Sequence, residues 1–441
     1  MDRRLLAVAM AAGLVAAPAA ALQAFCVGRS CARAQRAPAS TPFCSLPGPT
    51  RDGLAAGYYD GRSPDLFAVT AASPGVTGPR QVAEDVPWPA TGSTTAARVP
   101  LVFGGGAIRG GAEIPDDTAL DAVAPTLAAA LGVRRLHPEV RSGTEIPGVA
   151  SGPRARLGLI VVWRGVSSAL LERNPDRWPV LRDLLRDGAG TLRAQVGSLP
   201  LDPAAVLTTV GTGGLPRQHG ITGAVVRSDS GDILEAWAPG APPSVIAALG
   251  DDMDERSGQA ARVGLVGGDR SERGLIGGNW YLSNDRDDVR TTERSTAAER
   301  AAATRRLLAS GYGVDRTPDL LAVVLDDAVP AMDRATGEIV AAARRGSGGA
   351  FAVAVTATGA ADRDAVSAED LLAEVEARTP LPTDGVVAMT PGGLFLDPAA
   401  LAEADLPEDR IAAALEAAAD GGRGLIADAF PGFAVSLARY C

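Results

Sequence analysis

LPLDPAAVLTTVGTGGLPRQHGITG, from Leu199 to Gly223, decides how the rest of the chain is read. Asp is a favoured N-cap and Pro a favoured first helical residue, so Asp202-Pro203 starts a helix on local grounds alone. Thr208 and Thr209, further along it, read as packing residues. On either side lie short apolar runs of the kind that form buried parallel strands. LGLIVV (Leu157 to Val162) precedes Trp163-Arg164-Gly165 and a helical stretch through Leu181 to Leu185. Val263 to Val266 follows, then LLAVVL (Leu320 to Leu325) with Asp326 and Asp327 at its carboxyl end. A helical stretch, Met332 to Arg344, leads to Phe351 to Val355 and Thr356-Ala357-Thr358-Gly359. This alternation points to an α/β fold.

With 441 residues, 46% apolar and 21% charged, the chain has the composition of a core-forming globular protein. A net charge of −10 and a pI near 4.9 argue against nucleic acid as a partner, since phosphate backbones are bound by clustered Lys and Arg. Residues 1–24 read as an export signal: Asp2-Arg3-Arg4, an apolar run from Leu5, and small-residue cleavage sites ending at Ala21 or Ala24. The opposing reading is an uncleaved anchor, because the run approaches bilayer-spanning length. Residues 25–43 read as a flexible segment. No second membrane segment follows, so the expected location is secreted or cell-envelope, with no membrane span after cleavage.

The quoted stretch resembles the nucleophile helix of the alkaline phosphatase superfamily, type I phosphodiesterase/nucleotide pyrophosphatase branch, whose pattern is close to PTxTxPNHxTLxTGxxPxxHG. Thr212, Gly213, Pro216, His219 and Gly220 anchor the match. Other pieces resemble the same family: LRDLLRDGAG (Leu181 to Gly190), and Met332 to Arg344, similar to vDxxIGxLLxxL. GRSPDLFAVT (Gly61 to Thr70), RVPLVFGGGAIRGG (Arg98 to Gly111) and DAVAPTLAAALG (Asp121 to Gly132) resemble late family segments, yet here they come first. The resemblance therefore implies a three-layer α/β/α sandwich with a mostly parallel central sheet, circularly permuted. Residues 44–136 would be the ancestral carboxyl-terminal part, 137–156 a new linker, and 157–441 the ancestral amino-terminal part. Permutation of this kind needs only new loop closure when the original ends are close. Two separate domains, Phe43 to Pro147 and Leu157 to Cys441, are the competing organisation. Of four cysteines, Cys26 and Cys31 are near neighbours, while Cys44 and Cys441 lie at opposite ends and are expected to pair, restoring the cut connection. The alternative leaves the two terminal thiols near each other and unbonded.

The family's reaction uses two bridging metals, usually zinc, and a Thr or Ser alkoxide. Carried over position by position, the resemblance implies a degenerate site. The first metal-binding Asp becomes Arg164, the nucleophile becomes Pro203, the Asp-His of TSDHG becomes Ala357-Thr358, and Gly92 to Ala97 has no histidine. Asp202 is expected to place its carboxylate at the helix start where the family holds phosphate. His219, with Gly213 and Gly220, reads as structural, and His137, in the linker, as solvated. Asp326 and Asp327 read as helix caps or partners of Arg164, or alternatively as an oxygen-only site for Mg, Ca or Mn rather than Zn. Asn284 to Asp288 and Asp251 to Glu255 read as solvated turns, and Gly277 to Tyr281 as packing or a ligand groove. Gly104 to Gly106 and Gly267-Gly268 make no dinucleotide signature. The expectation is thus an exported, catalytically degenerate protein with a binding, regulatory or structural role toward an envelope or extracellular partner or ligand, with no cofactor. The alternatives are a divergent metal-dependent phosphodiesterase or phosphatase and a membrane-tethered envelope assembly component.

Overall fold

Buried on both faces, Leu157–Trp163 (β3), Asp319–Leu325 (β7) and Phe351–Ala357 (β8) form the centre of a seven-stranded sheet, as their unbroken apolar runs require. The computed structural model describes residues 43–70, 75–77, 97–278, 280–282, 286–359, 365–390, 392–420, 423–424 and 426–441. The expected export signal, Cys26, Cys31 and most of Gly92 to Ala97 lie outside the described residues. Among the described residues no helix is long and apolar enough to cross a membrane.

The sheet adds Arg98–Gly104 (β2), Ala189–Gln195 (β4), Val263–Gly267 (β5) and Asp288–Thr291 (β6), in the order β4-β2-β8-β3-β7-β5-β6. Six strands run one way, and β2 runs antiparallel to both its neighbours. Both neighbours of β2 come from beyond residue 157, so residues 44–136 and 157–441 share this sheet.

Alternation along β3 shows the two flanking layers directly, because odd and even side chains leave opposite faces. Gly158 packs under Leu131 of α2 (Val123–Leu131), whereas Trp163 donates its Nε1–H to Thr336 Oγ1 of α7 (Val329–Gly346) at 2.9 Å. On the α2 side lie α4 (Pro203–Thr212) and α5 (Leu249–Ser257); on the α7 side lie α3 (Pro179–Asp187) and α6 (Ala297–Ala309). The mixed α/β architecture, mostly parallel sheet and helices on both faces are those expected.

A second, four-stranded antiparallel sheet was not anticipated. Leu66–Thr70 (β1) sits between Gly393–Leu396 (β10) and Ile426–Pro431 (β11), with Val386–Thr390 (β9) at the far edge. The GRSPDLFAVT segment is therefore in this sheet and not in the main one. Its partners are more than 300 residues away, so no local pattern announces the pairing.

The chain ends are joined. Cys44 and Cys441 form a disulfide with a Cα–Cα distance of 5.2 Å across 397 positions. Phe43, assigned above to the flexible segment, is instead buried with its ring edge-on to Phe430 at 5.2 Å. The apolar contact orders the chain one residue earlier than its composition suggested.

Asp251 to Glu255 is a second correction: it belongs to α5, and Asp251 and Asp252 are buried. Arg135 Nε donates to Asp252 Oδ2, Arg141 Nη2 lies 3.7 Å from the same oxygen, and the Tyr281 hydroxyl donates to Oδ1 at 3.2 Å. Both arginines also donate to the Ala247 carbonyl. Around them the 137–156 segment is held along its length: Gly143 N–H reaches the Gly213 carbonyl, Ile146 N–H the Thr126 hydroxyl, and Gly152 N–H the Ala107 carbonyl. His137 remains exposed, 3.4 Å from Glu139. Of Asn284 to Asp288, residues 283–285 lie outside the described set. Asp288 starts β6 and accepts from Tyr312 at 3.0 Å, so it belongs to the sheet edge and not to a solvated turn.

Candidate functional site

Parallel strands deliver their carboxyl ends to one edge of the sheet, which is where α/β folds place ligands. Here that edge brings together Arg164 after β3, Asp326 and Asp327 after β7, Ala357-Thr358 at the end of β8, and Asp202-Pro203 at the start of α4. Glu272, which the sequence reading did not single out, joins them from the 3-10 turn Arg270–Leu275.

Arg164 occupies the middle. Its Nη1 lies 3.4 Å from Glu272 Oε1, and its Nε lies 3.9 Å from Asp326 Oδ2. Glu272 is almost wholly buried, and its other oxygen accepts the Gly268 N–H at 2.8 Å. Burial pushes the Glu272 carboxyl up from its ordinary range, while the charges of Arg164 and Arg300 and the Gly268 bond pull it back. Gly267-Gly268 thus has a steric reason to lack side chains: a Cβ on Gly267 would lie 2.1 Å from Glu272 Oε2, and one on Gly268 2.3 Å from Arg300 Nη2.

Asp202 caps α4 as the local sequence requires. Oδ1 accepts the Ala204 N–H at 2.9 Å, and Oδ2 accepts the Ala224 N–H at 3.0 Å. Pro203 follows at the first helical position, and every residue of α4 is buried. The amide a phosphate oxygen would need at this helix start is already bonded to a carboxylate. Burial pushes the Asp202 carboxyl up to about 6, against the pull of the Ala224 and Ala204 bonds and of Arg164.

This shift has a definite sign. A carboxyl raised from its ordinary 3.8 to about 6 contributes stability that is full below about pH 4 and is lost as pH rises through about 6. Asp202→Asn is therefore expected to gain about 2–3 kcal/mol at pH 7 relative to pH 4, compared with the wild type. Urea unfolding at both pH values checks it. An unchanged difference between the two would show that folding does not raise the Asp202 pKa.

Asp327 acts as a cap, its carboxylate accepting the Ala297 N–H of α6 at 3.2 Å and its own chain's Ala328 N–H at 2.7 Å. Asp326 is half exposed and lies 3.9 Å from Arg164 Nε. Ala357 pairs with Trp163 in the sheet, and Thr358 closes the edge: its N–H donates to the Trp163 carbonyl, and its hydroxyl accepts the Gly165 N–H at 3.0 Å. Strand ends that could carry ligands carry backbone hydrogen bonds.

His219 lies behind α4. Its Nδ1 accepts the Ile221 N–H at 3.1 Å, which leaves Nε2–H to donate to Thr209 Oγ1 at 3.1 Å. Burial, aided by the Arg62 charge, pushes its pKa down to about 3, so it is neutral at physiological pH. Gly213 (φ 73°) ends α4, and Gly220 (φ 75°) ends the one-turn helix Pro216–His219. The TG..P..HG pattern is thus a stop, a start and a stop in the backbone.

Among the described residues no three of His, Cys, Asp and Glu are grouped to hold an ion, and the Glu272 and Asp326 carboxylates share the Arg164 guanidinium. Of Gly277 to Tyr281, residue 279 lies outside the described set; the Asp251 carboxylate accepts the Gly278 N–H at 2.9 Å. At the opposite end of the strands, a groove of about 710 Å³ lies between α3 and α7, lined by Gly104 to Gly106, Leu184, Val340 and Phe351.

No family model and no curated protein sequence matches the chain. Among solved structures it is similar to wild-type alkaline phosphatase PafA, with 13% identity and a TM-score of 0.45, over 60% of this chain and 77% of that one. It is likewise similar to a PafA variant with four substitutions, at 14% identity and a TM-score of 0.43, over 59% of this chain and 76% of the other.

Proposed function

We propose that this chain is an exported, circularly permuted and catalytically degenerate relative of the alkaline phosphatase superfamily, acting by binding rather than by hydrolysis. One observation carries the reading: Arg164, lying between Glu272 and Asp326, stands where the resemblance places a metal ligand. A guanidinium there repels divalent cations and neutralises the carboxylates that would hold them. Pro203 offers no nucleophilic atom, and Asp202 takes the amide of Ala204. A reaction that needs an activated hydroxyl and paired cations has neither.

The test is direct. Purified protein assayed with bis-p-nitrophenyl phosphate in the presence of Mg, Ca, Mn or Zn is expected to show no turnover above the uncatalysed rate, and elemental analysis to find well under one metal per chain. Metal-dependent hydrolysis abolished by Asp326→Ala would establish the divergent hydrolase instead. That second reading draws on the half-exposed Asp326, whose partner is distant. Vanadate added at high concentration is expected to leave the amides of Ala204 to Val206 unoccupied.

A further inference from the structure

Asp251 is buried in the first turn of α5, where backbone N–H groups hold its carboxylate. Oδ2 accepts the Ala248 N–H at 2.7 Å, Oδ1 accepts the Gly278 N–H at 2.9 Å, and the Trp280 N–H reaches it as well. Gly277 lies directly over it with φ 94°, and a Cβ there would stand 2.0 Å from Oδ2. Only glycine lets the backbone cover the carboxylate this closely.

The charges around it do not offset this burial. Asp252, the next residue of α5, takes Arg135 and Arg141, and Asp251 is in none of the ion pairs among the described residues. The Tyr281 hydroxyl donates to Asp252, and Arg273, whose Nε lies 3.3 Å from where a Gly278 Cβ would stand, is paired with Asp287. A buried carboxyl beside an ionised neighbour, with no cation of its own, is favoured neutral when covered and charged when water reaches it. Burial, aided by the Asp252 charge, pushes the Asp251 carboxyl from 3.8 up to about 7, against the pull of its three N–H bonds. Across the turn, the Trp237 ring lies 3.7 Å from the same Gly278 position, with φ 67° and with its buried indole N–H lacking an acceptor. Both are costs of the arrangement seen, and a turn that moves lets the ring shed them.

We propose that Asp251 and the Gly277-Gly278 backbone form a proton-operated clasp, closed over the neutral acid and opened when that acid ionises into water. The clasp follows directly on the Arg270–Leu275 turn that carries Glu272, so opening it frees one end of that turn. A carboxyl that titrates near 3.8 uncovered and at about 7 covered favours the closed state fully below about pH 4. That advantage is lost as pH rises through about 7. Opening therefore grows about tenfold per pH unit across this window, at most about a thousandfold in all, and is level above it. The clasp does not depend on whether the neighbouring edge is catalytic.

The experiment is hydrogen exchange of the full chain between pH 4 and pH 8, read by NMR at the Gly278 and Trp280 amides and at Leu159 in the centre of β3. After correction for the intrinsic rate, protection at Gly278 and Trp280 is expected to fall about tenfold per pH unit up to about pH 7 and then to stay level. At every pH it is expected to be at least about tenfold weaker than at Leu159, which marks a local opening. Asp251→Asn is expected to remove the slope. Protection that does not change with pH in the wild type overturns the proposal. Protection equal to that of Leu159 does so too, since the turn then opens only when the whole domain unfolds. A slope that persists in Asp251→Asn assigns the proton to another group and also overturns it. The wild-type profile decides alone if the variant fails to fold.

Discussion

Asp252→Ala is expected to cost about 3–5 kcal/mol of stability. Asp252 is fully buried, and it neutralises two arginines that are almost as deeply buried. Among the described residues Arg135 Nη1 and Arg141 Nε already lack a protein acceptor, so removing the carboxylate leaves two guanidinium groups without their counter-charge. Urea unfolding at neutral pH measures the loss. Asp252→Asn is expected to recover only part of it, because an amide keeps one acceptor for the Arg135 N–H but no charge. A loss below about 1 kcal/mol would mean that water reaches the arginines and that they are not desolvated as the burial indicates.

Reduction of the Cys44–Cys441 bond is expected to cost about 4–5 kcal/mol, because the loop it closes spans nearly the whole chain and loop-closure entropy grows with length. Cys44→Ser, Cys441→Ser and the double variant should each lose the same amount as reductant takes from the wild type. They remove one bond, so their effects do not add. Urea unfolding with and without dithiothreitol decides the matter. Reductant sensitivity persisting in the double variant would place the responsible bond at Cys26 and Cys31.

The main sheet was legible in the sequence. LGLIVV, LLAVVL and the Phe351 run are long enough, apolar enough and bounded closely enough to be buried strands, and Asp202-Pro203 states its helix start in two residues. The four-stranded sheet was not, because β1 is completed by strands more than 300 positions away and no short window contains both. The candidate site was half legible. Arg164, Asp202, Asp326 and Ala357-Thr358 come to one edge, yet Glu272 went unnoticed inside a polar SERGL turn. Arg164 and Arg300, whose charges help hold that glutamate inside, lie 108 and 28 positions away. DDMDE failed in the same way: charged residues default to the surface, and the arginines that hold Asp252 inside lie more than 100 positions earlier.

Strand β2 emerges from the ribosome early but is bracketed by β4 and β8, the latter ending at Ala357. Its β4 partner is made by Gln195, but β8, which ties β2 to the centre of the sheet, is complete only when about four-fifths of the chain has been made. The leading third is therefore tied to the centre of the sheet only late in synthesis, and until then its apolar face waits for a partner.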